Sequence, residues 1–143
     1  MKHLERWIQL ITCILLLGGV TSVRANQNPA EAIQTFIQNG QYERAAQHLA
    51  ALEGPEYQVK RFYGLIALKK GNATKAASLF ERVLELKPEW KSTYLYLAQA
   101  QLHLERYAAA ISSLQKCHEL AQNRPGYYRL RIRAELGIKN HEK

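Results

Sequence analysis

Aspartate is absent from this chain, and all 12 acidic residues are glutamates. Calcium-binding loops and many paired-carboxylate active sites draw on aspartate, so its absence weighs against both. Cysteine is scarce too, with only Cys13 and Cys117. A disulfide framework is therefore excluded, and stability has to come from packing. The five histidines, His3, His48, His103, His118 and His141, fall at no metal-ligand spacing: "HLAALE" and "HLER" lack the second histidine that would complete a zinc pair. His118 adjoins Cys117, but neighbouring helix residues point about 100 degrees apart, which separates thiol from imidazole. Neither a phosphate-cradling glycine loop nor a serine elbow is present. The residues therefore point to no enzyme, no metal and no cofactor.

What is present begins with the N-terminus. Lys2 and Arg6 precede a nearly uncharged, leucine-rich run over residues 7 to 20, and small and polar residues follow. That is the profile of a secretory signal peptide, and "VRA" at residues 23 to 25 suits cleavage after Ala25. An uncleaved anchor is the alternative, because the apolar run extended to Val23 is about 17 residues, at the lower edge of what crosses a bilayer. The expected location is outside the cytoplasm, in a bacterial periplasm, or anchored to the inner membrane and facing it. Of the formal charge of +8, the leader holds Lys2, Arg6 and Arg24 against Glu5, so residues 26 to 143 carry about +6. With 143 residues in all, one domain remains after the leader is set aside.

Within that domain the stretch "GLIALKKGNATKAASLFERVLELKP" reads as two short helices broken at Gly71 and ended by Pro88. Its small and bulky positions are Gly64, Gly71, Ala76, Phe80, Val83 and Pro88. Shifting by about 34 residues brings Ala98, Glu105, Ala110, Leu114, Cys117 and Gln122 into register. Shifting back by about 31 places Gly40, Ala45, Leu49 and Leu52 under the same pattern, the shortfall falling in the link at Glu53, Gly54, Pro55 and Glu56. Gly71 is suited to a left-handed helix end and Asn72 to an N-cap. Pro55, Pro88 and Pro125 mark links. Gly64 and Ala76 let paired helices approach closely, Phe80 and Leu114 fill the gap to the next pair, and Tyr42 and Tyr107 are expected to pack over their turns.

A small residue in the first helix, an early alanine in the second, a large apolar residue four later and a closing proline, repeated at this period, resemble the tetratricopeptide repeat. The resemblance implies an all-α solenoid of about three helical hairpins, at residues 26–56, 57–90 and 91–124. A capping helix follows at 125–138, and a basic polar tail at 139–143. It also implies stability shared between nearest neighbours and a concave wall built from the first helix of each hairpin. By family position that wall holds Gln34, Ile37 and Gln38, then Arg61, Leu65, Leu68 and Lys69, then Leu95, Gln99, Leu102 and His103, and finally Arg129 and Arg133. Members that clamp a partner's terminal carboxylate need a set of lysines, asparagines and an arginine. Only Arg61 matches, with Leu65 and Tyr96 where asparagines are required, so that role is not expected.

The implied function is protein binding, with a protein or peptide partner that is acidic or amphipathic, and a place as scaffold or assembly factor of an envelope complex such as a secretion or pilus-type machine. The last segment, "YYRLRIRAELGIKNHEK", is basic and aromatic. Nucleic acid is not expected for an exported chain, whereas membrane contact through the leader or the basic tail stays open. Alternating arginines point to different sides of a helix, so the segment reads first as a polar cap on the array. Stacking of exposed ends would give self-association. The sequon Asn72-Ala73-Thr74 lies at the tight turn and is set aside as coincidence.

Overall fold

The structure, a computed structural model, describes residues 28–121 and 123–141. The leader assigned to residues 1–25 lies outside the described residues, as do Gln122 and the last two residues of the tail. Among the described residues the chain forms eight helices and no strand. They are α1 (Pro29–Gln38), α2 (Tyr42–Ala50), α3 (Glu56–Lys69), α4 (Ala73–Leu86), α5 (Lys91–His103), α6 (Tyr107–Lys116), the single turn α7 (His118–Ala121) and α8 (Pro125–His141). The all-α expectation holds, but the final helix passes its expected end at residue 138, so residues 139–141 of the expected tail are helical.

Each hairpin closes by the same local device. Gly40, Gly71 and Glu105 take left-handed backbone angles, with φ of 72°, 81° and 58°. The amide after each one donates back across the turn: Gln41 to the Phe36 carbonyl at 2.8 Å, Asn72 to Ala67 at 2.9 Å and Arg106 to Gln101 at 2.9 Å. This double-bonded helix end satisfies carbonyls that would otherwise be orphaned. Glycine adopts it freely; Glu105 does so at a steric cost. In the middle hairpin Asn72 Oδ1 then accepts from the Lys75 amide at 3.0 Å and caps α4.

Packing follows the small-residue positions. Gly64 of α3 lies so close to α4 that a Cβ there would sit 2.7 Å from a Phe80 ring carbon. Phe80, with none of its surface exposed, runs on to stack against Tyr96 of α5 with centroids 5.8 Å apart. One ring thereby joins the middle hairpin to the next, as its place in the repeat predicts. Burying it contributes about 1.5–3 kcal/mol. Between α5 and α6 the core is partly polar: Ser113 donates its hydroxyl to Gln101 Oε1 at 2.8 Å, and both are buried.

The helices form two layers. α1 touches α3, α3 touches α5, and α5 touches α8, while α2, α4 and α6 each bridge from their own partner to the next first helix. The layer whose members touch in succession is the inner one, and it holds α1, α3, α5 and α8.

Three features depart from the sequence reading. The second helix of the third hairpin stops at Lys116. The Cys117 amide turns back to the Leu114 carbonyl at 3.2 Å, its thiol bonds the same oxygen at 3.3 Å, and α7 restarts from there. The break sets both Cys117 and Ala121 in the core beside Tyr127. Tyr107 packs not over its turn but on α8, where a Cβ added to Gly137 would lie 2.3 Å from its ring. Finally, α8 is not a polar cap: Tyr128, Ile132 and Leu136 are exposed on it by 47%, 56% and 56%.

Candidate functional site

The inner layer gathers part of the sequence-predicted set into one place. Leu95 and Gln99 of α5, one turn apart, face Arg129 and Arg133 of α8, also one turn apart. Together with Tyr96, Gly126 and Leu130 they line a hollow of about 350 Å³. Its floor is apolar and its α8 rim is cationic. Arg129 and Arg133 are exposed and belong to none of the ion pairs among the described residues, whereas Arg131, pointing the other way, is held by Glu135 at 2.9 Å. The alternating arginines thus divide into one side that is neutralised internally and one whose guanidiniums pair with no carboxylate among the described residues.

Arg61 occupies a second hollow, of about 470 Å³, with Glu89, Trp90, Lys91, Ser92 and Leu120. Its guanidinium carbon lies 5.6 Å from the Trp90 ring centroid, 5.7 Å from Tyr96 and 5.9 Å from Phe62. Cation–π contact on several rings fixes the side chain without a carboxylate, and among the described residues its buried Nε has no hydrogen-bond partner. Trp90 is itself held by Tyr57, edge to face at 4.8 Å. Tyr96, which lines the first hollow, stands against both Phe80 and the Arg61 of the second.

Other expected positions do not join this site. Leu65, 4% exposed, is a core residue of α3, and Ile37, Leu68 and Leu102 are buried as well. These four correct the groove assignment: Ile37 and Leu102 join the core from α1 and α5, and α3 packs against helices on both sides, its buried face running unbroken from Gly64 to Leu68. Gln34 is half-buried, while Lys69 and His103 are exposed; all three lie on inner-layer helices but outside the hollow bounded by α5 and α8. The sequence reading missed Trp90 and Leu130 as lining residues. Tyr96 was visible only as the wrong residue for a carboxylate clamp.

Chemistry that breaks bonds finds little support. Cys117 is buried, and burial pushes its thiol above the ordinary value, the direction that suppresses the reactive thiolate. His118 Nδ1 lies 3.0 Å from the hydroxyl of buried Tyr127, a contact that fastens α8 to the α7 turn. Among the described residues no three His, Cys or Glu side chains converge as metal ligands, and no helix is long and apolar enough to cross a membrane.

Stacked hairpins with an open, part-apolar and part-cationic inner wall define a helical-repeat interaction protein. Two tetratricopeptide-repeat models match the chain, one over residues 30–91 and one over 67–133, and together they run from α1 into α8. The chain belongs to the tetratricopeptide repeat family, whose members are in general non-catalytic modules for protein–protein interaction. No individual curated protein matches it.

Proposed function

We propose that this protein is an exported adaptor that holds an acidic, amphipathic segment of a protein partner against its inner wall, as scaffold or assembly factor for an envelope complex. The observation that carries the reading is the hollow between α5 and α8, where Leu95, Tyr96 and Leu130 offer apolar contact under the uncompensated Arg129 and Arg133. Apolar area supplies affinity there, and the guanidiniums select and orient an acidic ligand. Export rests on the basic, then leucine-rich, then small-residue order of the first 25 residues. The length of the apolar run, about 17 residues, supports a second reading in which the leader is retained and the repeats are tethered to the inner membrane.

A crosslinking pull-down from the native envelope tests both parts when the mature N-terminus is read by mass spectrometry in the same sample. A protein recovered with wild type and lost with Arg129→Glu/Arg133→Glu, on a chain beginning at Asn26, is the expected result. Equal recovery by the double variant removes the groove from the account. A chain that still begins at Met1 selects the tethered reading.

A further inference from the structure

The large apolar side chains exposed among the described residues cluster towards the C-terminal end: Leu120 on α7, and Tyr128, Ile132 and Leu136 on α8. The last three recur every fourth residue and so form one stripe, about 12 Å long, on the face of α8 turned away from its buried contacts at Tyr127, Ala134 and Gly137. This is the face onto which a further hairpin would stack. A hollow of about 430 Å³ borders its arginine flank, where Ile132, Leu136, Asn140 and the same Arg129 and Arg133 that rim the inner wall meet Tyr107 and Gly137. The stripe therefore has one flank carrying guanidiniums that no carboxylate among the described residues engages. On its other flank Arg131 and Glu135 neutralise each other.

We infer that the outer face of α8 docks an amphipathic helix of a partner protein, one whose apolar side meets Tyr128, Ile132 and Leu136 and whose acidic residues, a turn apart on one flank, meet Arg129 and Arg133. The occupant is a helix because the row at every fourth residue forms a ridge inclined across α8, which suits ridge-into-groove packing of a second helix rather than an extended strand. It is acidic on one flank because the free charge is confined to one flank. A second copy of this chain fits less well: two-fold antiparallel pairing of α8 would gather Arg129 and Arg133 of both copies on the same side, where like charges repel. The inference rests on the reading of the chain as a binding module, but it places the contact on the end of the array and not in the hollow between α5 and α8.

The test titrates the full chain against a fluorescent synthetic helix of about five turns, with a leucine face and glutamates one turn apart on one flank, and against a twin carrying lysines in their place. The acidic helix is expected to bind, more weakly as salt is raised, and the lysine twin is not. Ile132→Ser/Leu136→Ser should weaken binding by about tenfold or more, with an unchanged circular dichroism spectrum because both positions are exposed. In Gln99→Trp, which fills the inner hollow, the acidic helix should still bind, and Ile132→Ser/Leu136→Ser should still weaken it. Three results overturn the inference: no binding of the acidic helix, equal binding of the two helices, or unchanged affinity in the serine variant. Binding lost in Gln99→Trp but kept in the serine variant puts the helix in the inner hollow, which overturns this inference and leaves the proposed function standing. A concentration-dependent dimer in sedimentation, abolished by Ile132→Ser/Leu136→Ser, gives the face to a second copy and overturns it equally.

Discussion

Replacing Gly64 with alanine adds a single methyl group, and the structure fixes where that group must go. Its carbon would lie 2.7 Å from Phe80 Cε1 and 3.0 Å from both Cδ1 and Cζ, closer than carbon atoms tolerate. Phe80 cannot retreat into solvent, because it is fully buried and its far side rests on Tyr96. Either α3 and α4 separate or the strain passes through the ring into α5. Overpacking of this kind costs about 1–3 kcal/mol. At about 4 °C per kcal/mol for a domain of this size, the thermal midpoint should fall by about 4–12 °C. Helical circular dichroism of the full chain during heating reads the shift. Gly54→Ala serves as control, since its added carbon meets nothing nearer than 3.6 Å and should leave the midpoint in place. Combining Gly64→Ala with Phe80→Leu should cost less than the two single changes added together, a coupling expected only if the two positions touch. A midpoint for Gly64→Ala equal to that of Gly54→Ala would refute the helix crossing and the repeat register built on it.

The same geometry supports further tests. Glu105→Gly should stabilise the protein by about 1 kcal/mol, because it relieves a left-handed residue at the place that Gly40 and Gly71 hold in the other hairpins; a lowered thermal midpoint contradicts this. Gly137→Ala should force α8 away from Tyr107 and raise amide exchange in α8, leaving the α3–α4 hairpin protected, as nearest-neighbour stability requires. Uniform loss of protection would contradict it. Hydrogen bonds from Lys70 and Lys91 hold the Glu43 and Glu119 carboxylates below the ordinary value of 4.5. Carboxylates lowered in the folded state contribute stability that is present above pH 4.5 and lost as the pH falls through their folded values. The thermal midpoint should therefore decline as the pH falls below about 4.5. Glu43→Gln/Glu119→Gln should flatten that decline; because both pairs are exposed, the change should be small.

The parts of the fold legible in the sequence are those fixed by short-range chemistry. The period appears because each hairpin needs its own left-handed stop and small crossing residue, so Gly40, Gly71, Asn72 and the pair Gly64 and Phe80 announce their roles within one repeat. Glu105 was visible as the odd residue in that register, and the structure gives it the same backbone. Burial beyond one repeat was not legible. Leu65 looked like a wall residue because family position counts turns along a helix, whereas the buried width of α3 depends on how many neighbours enclose it. Stacking of Arg61 on Trp90 brings α3 against the link that enters α5 and follows from tertiary packing, which no local pattern encodes. The stripe on α8 escaped for a related reason: its arginines dominate the sequence, and only the direction of packing separates Ile132 and Leu136 from the buried Ala134 and Gly137.

The central claim is that the chain works by holding a partner on the inner wall where α5 meets α8. Site-specific photo-crosslinking in intact cells tests it most directly, with the reactive group at Gln99, in the hollow, or at exposed Glu81 of α4, away from it. The account predicts a discrete protein adduct from Gln99, abolished by Arg129→Glu/Arg133→Glu, and none from Glu81. Adducts from Glu81 with none from Gln99 would contradict it and move the working surface to the outer layer.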